Sequence, residues 1–178
     1  MAHEFQHLVE RGLTQESVYR GKLLKIRVDT VALPDGEIAN REIVEHPGAV
    51  AVVPLTDDGQ VVLVRQFRYP INRITLEIPA GKLEFGEEPE ATCRRELAEE
   101  TGLAAASLEK LTEIVVAPGY SSERLTLYKA TGLTPTDAKP DGDEFIETVK
   151  LPLAEVHAMI KRGEIQDAKT IVALSWLR

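Results

Sequence analysis

The chain has 178 residues, with 29 acidic against 21 basic side chains and a net charge of −8, in an otherwise ordinary soluble composition. That length favours one domain with a sizeable core, with room for a small extension. The acidity excludes general binding to nucleic acid or to anionic membranes, both of which need a basic surface.

The single cysteine, Cys93, excludes an internal disulfide. No apolar run approaches the ~18 residues of a membrane span, and residues 1–10 are too polar for a signal core. The expected location is the cytoplasm. His3 and His7 stand one helical turn apart but without a cysteine partner, so they read as a solvated tail rather than a zinc site.

In chain order, residues 18–33 are rich in β-branched and aliphatic side chains, Pro34-Asp35-Gly36 makes a turn, and residues 37–45 follow as a second strand. Residues 49–55 form a nearly continuous apolar run, Asp57-Asp58-Gly59 a turn, and residues 60–67 another apolar run, giving two buried strands. Residues 74–78 predict a strand closed by Pro79-Ala80-Gly81. A helix follows, with Pro89 at its first position, Cys93 and Leu97 as an apolar i, i+4 pair, and Thr101-Gly102 as its stop.

Strands are expected over 111–117 and 124–130, around the turn-rich loop 118–123. Residues 131–142 read as loop, 145–151 as a strand, and 152–162 and 167–177 as helices. The last two carry apolar stripes that include Val156, Ile160, Ile171, Val172 and Leu174. The order of elements defines an α+β protein: a mixed sheet with the first helix on one face and the later helices on the other. There is no internal repeat and no P-loop.

The chemistry concentrates in residues 81–103, where seven Glu stand against one Lys and two Arg. Glu96, Glu99 and Glu100 fall at i, i+3, i+4 on one helix face. Such like charges repel, and an all-oxygen cluster that a cation would relieve suits Mg²⁺ or Mn²⁺ rather than zinc. Arg95 can reach Glu99 one turn later or fold back toward Glu87. Cys93, mid-helix, reads as a core residue.

The whole stretch, G-x5-E-x7-R-E-L-x-E-E-x-G-L from Gly81 to Leu103, resembles the Nudix box at every fixed position. Further resemblance to the ADP-ribose pyrophosphatase subgroup lies in Glu45-His46-Pro47-Gly48, Val64-Arg65-Gln66-Phe67-Arg68, Leu76-Glu77-Ile78-Pro79-Ala80-Gly81, Ala117-Pro118-Gly119-Tyr120-Ser121-Ser122-Glu123 and Asp143-Glu144-Phe145-Ile146-Glu147. Pro118 occupies the position of the subgroup's marker proline. The resemblance runs from about Arg41 to the C-terminus.

It implies a Nudix-type α/β/α sandwich over residues 47–178. It also implies a small antiparallel β extension, residues 1–46, that helps to make a homodimer. By the same carry-over the carbonyl of Ala80 with Glu96, Glu99, Glu100 and Glu144 would hold the metal. Glu99, Glu144 and Arg95 would serve catalysis, with Asp141 and Asp143 as substitutes for Glu144. Arg41, Arg68, Pro118 and Glu123 would contact substrate. The implied reaction is metal-dependent hydrolysis of ADP-ribose to AMP and ribose 5-phosphate. The alternatives are hydrolysis of a nucleotide sugar, a dinucleotide or a flavin dinucleotide, or a Nudix-like regulator without turnover.

Overall fold

A computed structural model describes residues 5–84, 86–137 and 145–177. The packing of the chain defines two units, one formed by the segment up to Pro47 with Val115–Arg124, the other by Gly48–Ile114 and the chain from Leu125 onward.

The first unit holds a three-stranded antiparallel sheet, β1 (Arg11–Arg20), β2 (Lys25–Ala32) and β3 (Ile38–Glu45), in that order. The 34–36 turn forms as its residues dictate, with Gly36 at φ +92° and its N–H donated to Leu33 at 2.9 Å. The expected strand over 18–33 is instead two strands broken at 21–24, and β1 begins seven residues earlier than that expectation. All ten residues of β1 are exposed, so it lacks the half-buried alternation by which strands are read.

In the second unit β4 (Ala49–Pro54), β5 (Gln60–Arg68) and β6 (Arg73–Glu77) fall where the apolar runs place them. The sheet is divided: β10 (Glu147–Pro152), β5 and β6 form an antiparallel trio, while β7 (Ala80–Lys82), β4, β9 (Arg124–Pro135) and β8 (Leu103–Val115) form a mixed four. In the four, β4 runs parallel to β9 and antiparallel to β7. Two boundaries differ from expectation. Strand β8 starts directly after the helix, through Ala104-Ala105-Ala106, whose weak strand propensity hides it, and β9 continues through Pro135 into the stretch read as loop.

Strand β4 explains the layering. Its even residues Val50 and Val52 pack with Cys93 and Leu97 of α1 (Pro89–Thr101) and with Tyr128 and Ala130 of β9. Its odd residues Ala49, Ala51 and Val53 pack with Val156 of α2 (Leu153–Lys161) and with Ala173 and Leu174 of α3 (Ala168–Ser175). A strand apolar on both faces is the expected centre of an α/β/α sandwich. Of the apolar stripe on the late helices, Val156 and Leu174 are buried, and Ile160, Ile171 and Val172 pack against the same core. Among the described residues no helix is long and apolar enough to cross a membrane.

Candidate active site

The site is built where β6 and β7 hand the chain to α1. Pro79 accepts the N–H of Val52 at 2.9 Å, and the register Ala51↔Ala80, Val50↔Gly81 holds residues 80 and 81 against β4. Helix α1 starts at Pro89 and ends at Gly102, which takes φ +67° and donates its N–H to Ala98 at 2.8 Å. Cys93, Leu97 and Glu100 follow one another at i, i+4, i+7, so the stripe that buries α1 ends in a carboxylate. Glu100 is 5% exposed and its Oε2 accepts the N–H of Ala80 at 3.0 Å. Burial pushes the Cys93 thiol up to about 12, consistent with a core residue that does no nucleophilic work.

Glu96 approaches the backbone of Gly81 so closely that a β-carbon there would lie 1.9 Å from its carboxyl carbon. The Arg95 guanidinium binds both oxygens of Glu87 at 3.2 Å, Glu96 at 2.8 Å and Glu99 at 2.9 Å. Both reaches expected of Arg95 are therefore made together. The hydrogen bonds donated by Arg95 hold the Glu87 carboxyl down at about 2, and those same bonds to Glu87 first, then the charge of Glu96 and the bond donated to Glu99, raise the arginine.

The shared helix face is thus divided between two attachments. Glu96 and Glu99 bind Arg95, while Glu100 accepts the N–H of Ala80 and Glu96 also packs against Gly81. Among the described residues no three acidic side chains converge as a ready-made metal cage. The donor set nevertheless fits a hard divalent cation, being all oxygen, with Glu96 held in a cradle that only glycine leaves open.

Arg68, at the end of β5, sets Nε and one terminal nitrogen on Glu77 at 2.9 and 2.7 Å, and this bond raises its pKa against burial. Its side chain is 42% exposed and lines a pocket of about 520 Å³ with Ile71, Arg73, Ile74 and Lys169. Glu77 had no role in the sequence reading. It is 2% exposed and also binds Thr75 and Lys169. A buried acid inside a strand was the signal available, but its partner Lys169 lies 92 positions away.

Three expected substrate residues lie in the first unit. Arg41 pairs with Glu10, Nε to Oε2 at 2.9 Å. Pro118 opens a turn in which Ala117 accepts the N–H of Ser121 at 2.9 Å. Glu123 lies 3.9 Å from Nε2 of His46, whose backbone N–H donates to the Ser122 hydroxyl at 2.9 Å. Glu144, with Asp141 and Asp143, lies outside the described residues.

This arrangement, a glutamate-rich helix docked through its acids and an arginine onto a glycine turn of an α/β/α sandwich, defines a Nudix-type hydrolase. The model of the NUDIX domain matches residues 45–174, and that of the nucleoside diphosphate sugar hydrolase N-terminal domain matches residues 13–44. The chain is 43% identical over 173 residues to an ADP-ribose pyrophosphatase of Bacillus subtilis, covering 96% of this chain and 94% of that one. It is 42% identical to a methanol dehydrogenase activator of Bacillus methanolicus (95% and 92% covered) and 36% identical to an ADP-ribose pyrophosphatase of Mycobacterium tuberculosis (97% and 82% covered). A crystal structure of an ADP compounds hydrolase superposes with a TM-score of 0.86 at 26% identity, covering 95% of this chain and 92% of that one. The chain belongs to the Nudix family and is a pyrophosphohydrolase of nucleoside diphosphate derivatives.

Proposed function

We propose that the enzyme hydrolyses ADP-ribose to AMP and ribose 5-phosphate with Mg²⁺, or Mn²⁺, as cofactor, and that it works as a homodimer in the cytoplasm. The observation that carries the hydrolytic reading is the attachment of the intact box to residues 80–81, through Glu100 on Ala80 and Glu96 against Gly81. The choice of ADP-ribose is supported by the two relatives called ADP-ribose pyrophosphatase.

In this reading Glu96, Glu99, Glu100 and the Ala80 carbonyl hold the cation, with Glu144 as a late ligand or base. A bound divalent ion supplies charge neutralisation and a more acidic water. Water gives a proton to the base and adds its oxygen to one phosphorus, the bridging P–O bond breaks, and the leaving phosphate departs with the bridging oxygen and its electron pair. Arg68 holds the diphosphate, and Arg41, Pro118 and Glu123 contact the rest of the substrate. Arg95 fixes the carboxylates of Glu96 and Glu99 in place, so their orientation is set before substrate arrives.

A panel of ADP-ribose, ADP-glucose, GDP-mannose, NADH, a diadenosine polyphosphate and FAD, each with and without Mg²⁺, tests the reading. ADP-ribose should give the highest kcat/KM, yielding AMP and ribose 5-phosphate, and excess chelator should stop it until Mg²⁺ or Mn²⁺ is restored. A nucleotide sugar or dinucleotide cleaved tenfold better would move the substrate, and full turnover in chelator would remove the metal site.

A further inference from the structure

Buried Glu77 is gripped from two elements. Arg68 of β5 binds both of its oxygens, Thr75 donates a hydroxyl at 2.5 Å, and Lys169 of α3 donates its ammonium. Lys169 is 13% exposed and also donates to Asp167 at 3.0 Å. Asp167 caps α3 by accepting the N–H of Thr170 at 3.0 Å, and it accepts the Thr170 hydroxyl at 2.5 Å. That hydroxyl oxygen in turn accepts the N–H of Ile78 at 2.9 Å. The first turn of α3 therefore holds two consecutive residues, Glu77 by its side chain and Ile78 by its backbone, immediately before Pro79-Ala80-Gly81.

We infer that Lys169 is a positioning residue for the hydrolytic centre: it fixes the Glu77 carboxylate, and through it the plane of the Arg68 guanidinium, in the orientation that meets the substrate's diphosphate. The inference rests on the reading of Arg68 given under Proposed function.

The geometry supports it in three ways. A guanidinium bound by its fork to one carboxylate takes its plane from that carboxylate. A carboxylate tied only to a half-exposed arginine would turn with it, whereas Lys169 anchors it to a helix whose Ala173 and Leu174 are fully buried. Finally, replacing a whole buried ion pair by apolar residues of the same volume is often neutral or stabilising, so stability alone does not call for a lysine, a glutamate and an arginine at this place.

A double-substitution cycle tests this with the nucleoside diphosphate derivative that the wild type cleaves best, so an error in the choice of substrate does not touch it. Lys169→Met should lower kcat/KM by about tenfold, the scale seen when a partner that orients an active-site group is lost. The same substitution should change kcat/KM less than twofold when Arg68→Gln is already present, and Lys169→Arg should restore most of the loss. An equal loss in both backgrounds, or a lower Tm with kcat/KM within twofold of wild type, overturns the inference. If Lys169→Met does not fold, Glu77→Gln takes its place in the cycle under the same criteria. An unchanged kcat/KM in Arg68→Gln alone would remove the diphosphate contact and the inference together, whereas a rate that depends on Arg68 with an additive effect of Lys169 removes the inference alone.

Discussion

The Glu96 carboxylate occupies the space that a side chain on residue 81 would need: a β-carbon built on Gly81 meets its carboxyl carbon at 1.9 Å and its oxygens at 2.0 and 2.4 Å. The glycine that opens the box is therefore required by close approach, since its backbone is not in the left-handed region. The side chain it admits is the first acid of the R-E-L-x-E-E segment.

Gly81→Ala follows directly. The obstructing atoms are the far end of a flexible side chain, so Glu96 can swing away and the fold should lose less than about 1 kcal/mol. The displaced carboxylate should cost on the order of 10²-fold in kcat. Thermal melting and steady-state kinetics of the purified variant check both halves. Activity within a few-fold of wild type would mean that the position of Glu96 is immaterial.

Glu100→Gln separates charge from shape. The glutamine carbonyl can still accept the N–H of Ala80, so the 80–81 turn should keep its place while one negative charge leaves the site. The expected loss is about 10²-fold or more in kcat, with Tm nearly unchanged. Wild-type turnover would reduce Glu100 to a structural clasp.

Legibility of the site in the sequence followed the range of the interactions. The box, its helix and the reach of Arg95 to Glu87 and Glu99 were all readable because all of them lie within residues 81–103. The burial of Glu100 was readable in principle, as the next member of the Cys93, Leu97 stripe, but a face of three glutamates looks solvated until its partner backbone is known. Strand β1 was not readable because all ten of its residues are exposed and none alternates with a buried one, and the start of β8 was masked by three alanines. The hold of α3 on Glu77 and Ile78 joins positions about 90 apart and leaves no local pattern.

The N-terminal sheet gives a third prediction. Strand β1 is exposed along its whole length, including Leu13, Val18 and Tyr19, which a stable monomer has little reason to present in one strand. We propose that this sheet joins two copies of the chain. Deleting residues 1–41 removes β1, β2 and the start of β3, and light scattering should show the dimer replaced by a monomer or by aggregates of low activity. A truncated chain that remained a fully active dimer would place the interface elsewhere.

The acid side of the stability profile supplies the last prediction. Burial alone would raise the Glu77 pKa, but the Arg68 hydrogen bonds, then the charge and hydrogen bond of Lys169 and the Thr75 hydroxyl, hold it at about 2 against an ordinary 4.5. A carboxyl with a depressed folded-state pKa favours the native state above its unfolded value. That contribution is full above about pH 4.5 and is lost as pH falls toward 2. A gap of that size corresponds to about 3 kcal/mol, of which about 2 kcal/mol is gone by pH 3. Glu77→Gln should be less stable than wild type at pH 7, because Arg68 and Lys169 lose their shared counter-charge, yet its stability should fall less between pH 7 and pH 3, by about 2 kcal/mol. Urea unfolding of both proteins at the two pH values measures the difference. Parallel losses would show that the Glu77 carboxyl is not held ionised by its three partners, and that the acid sensitivity arises at other carboxylates.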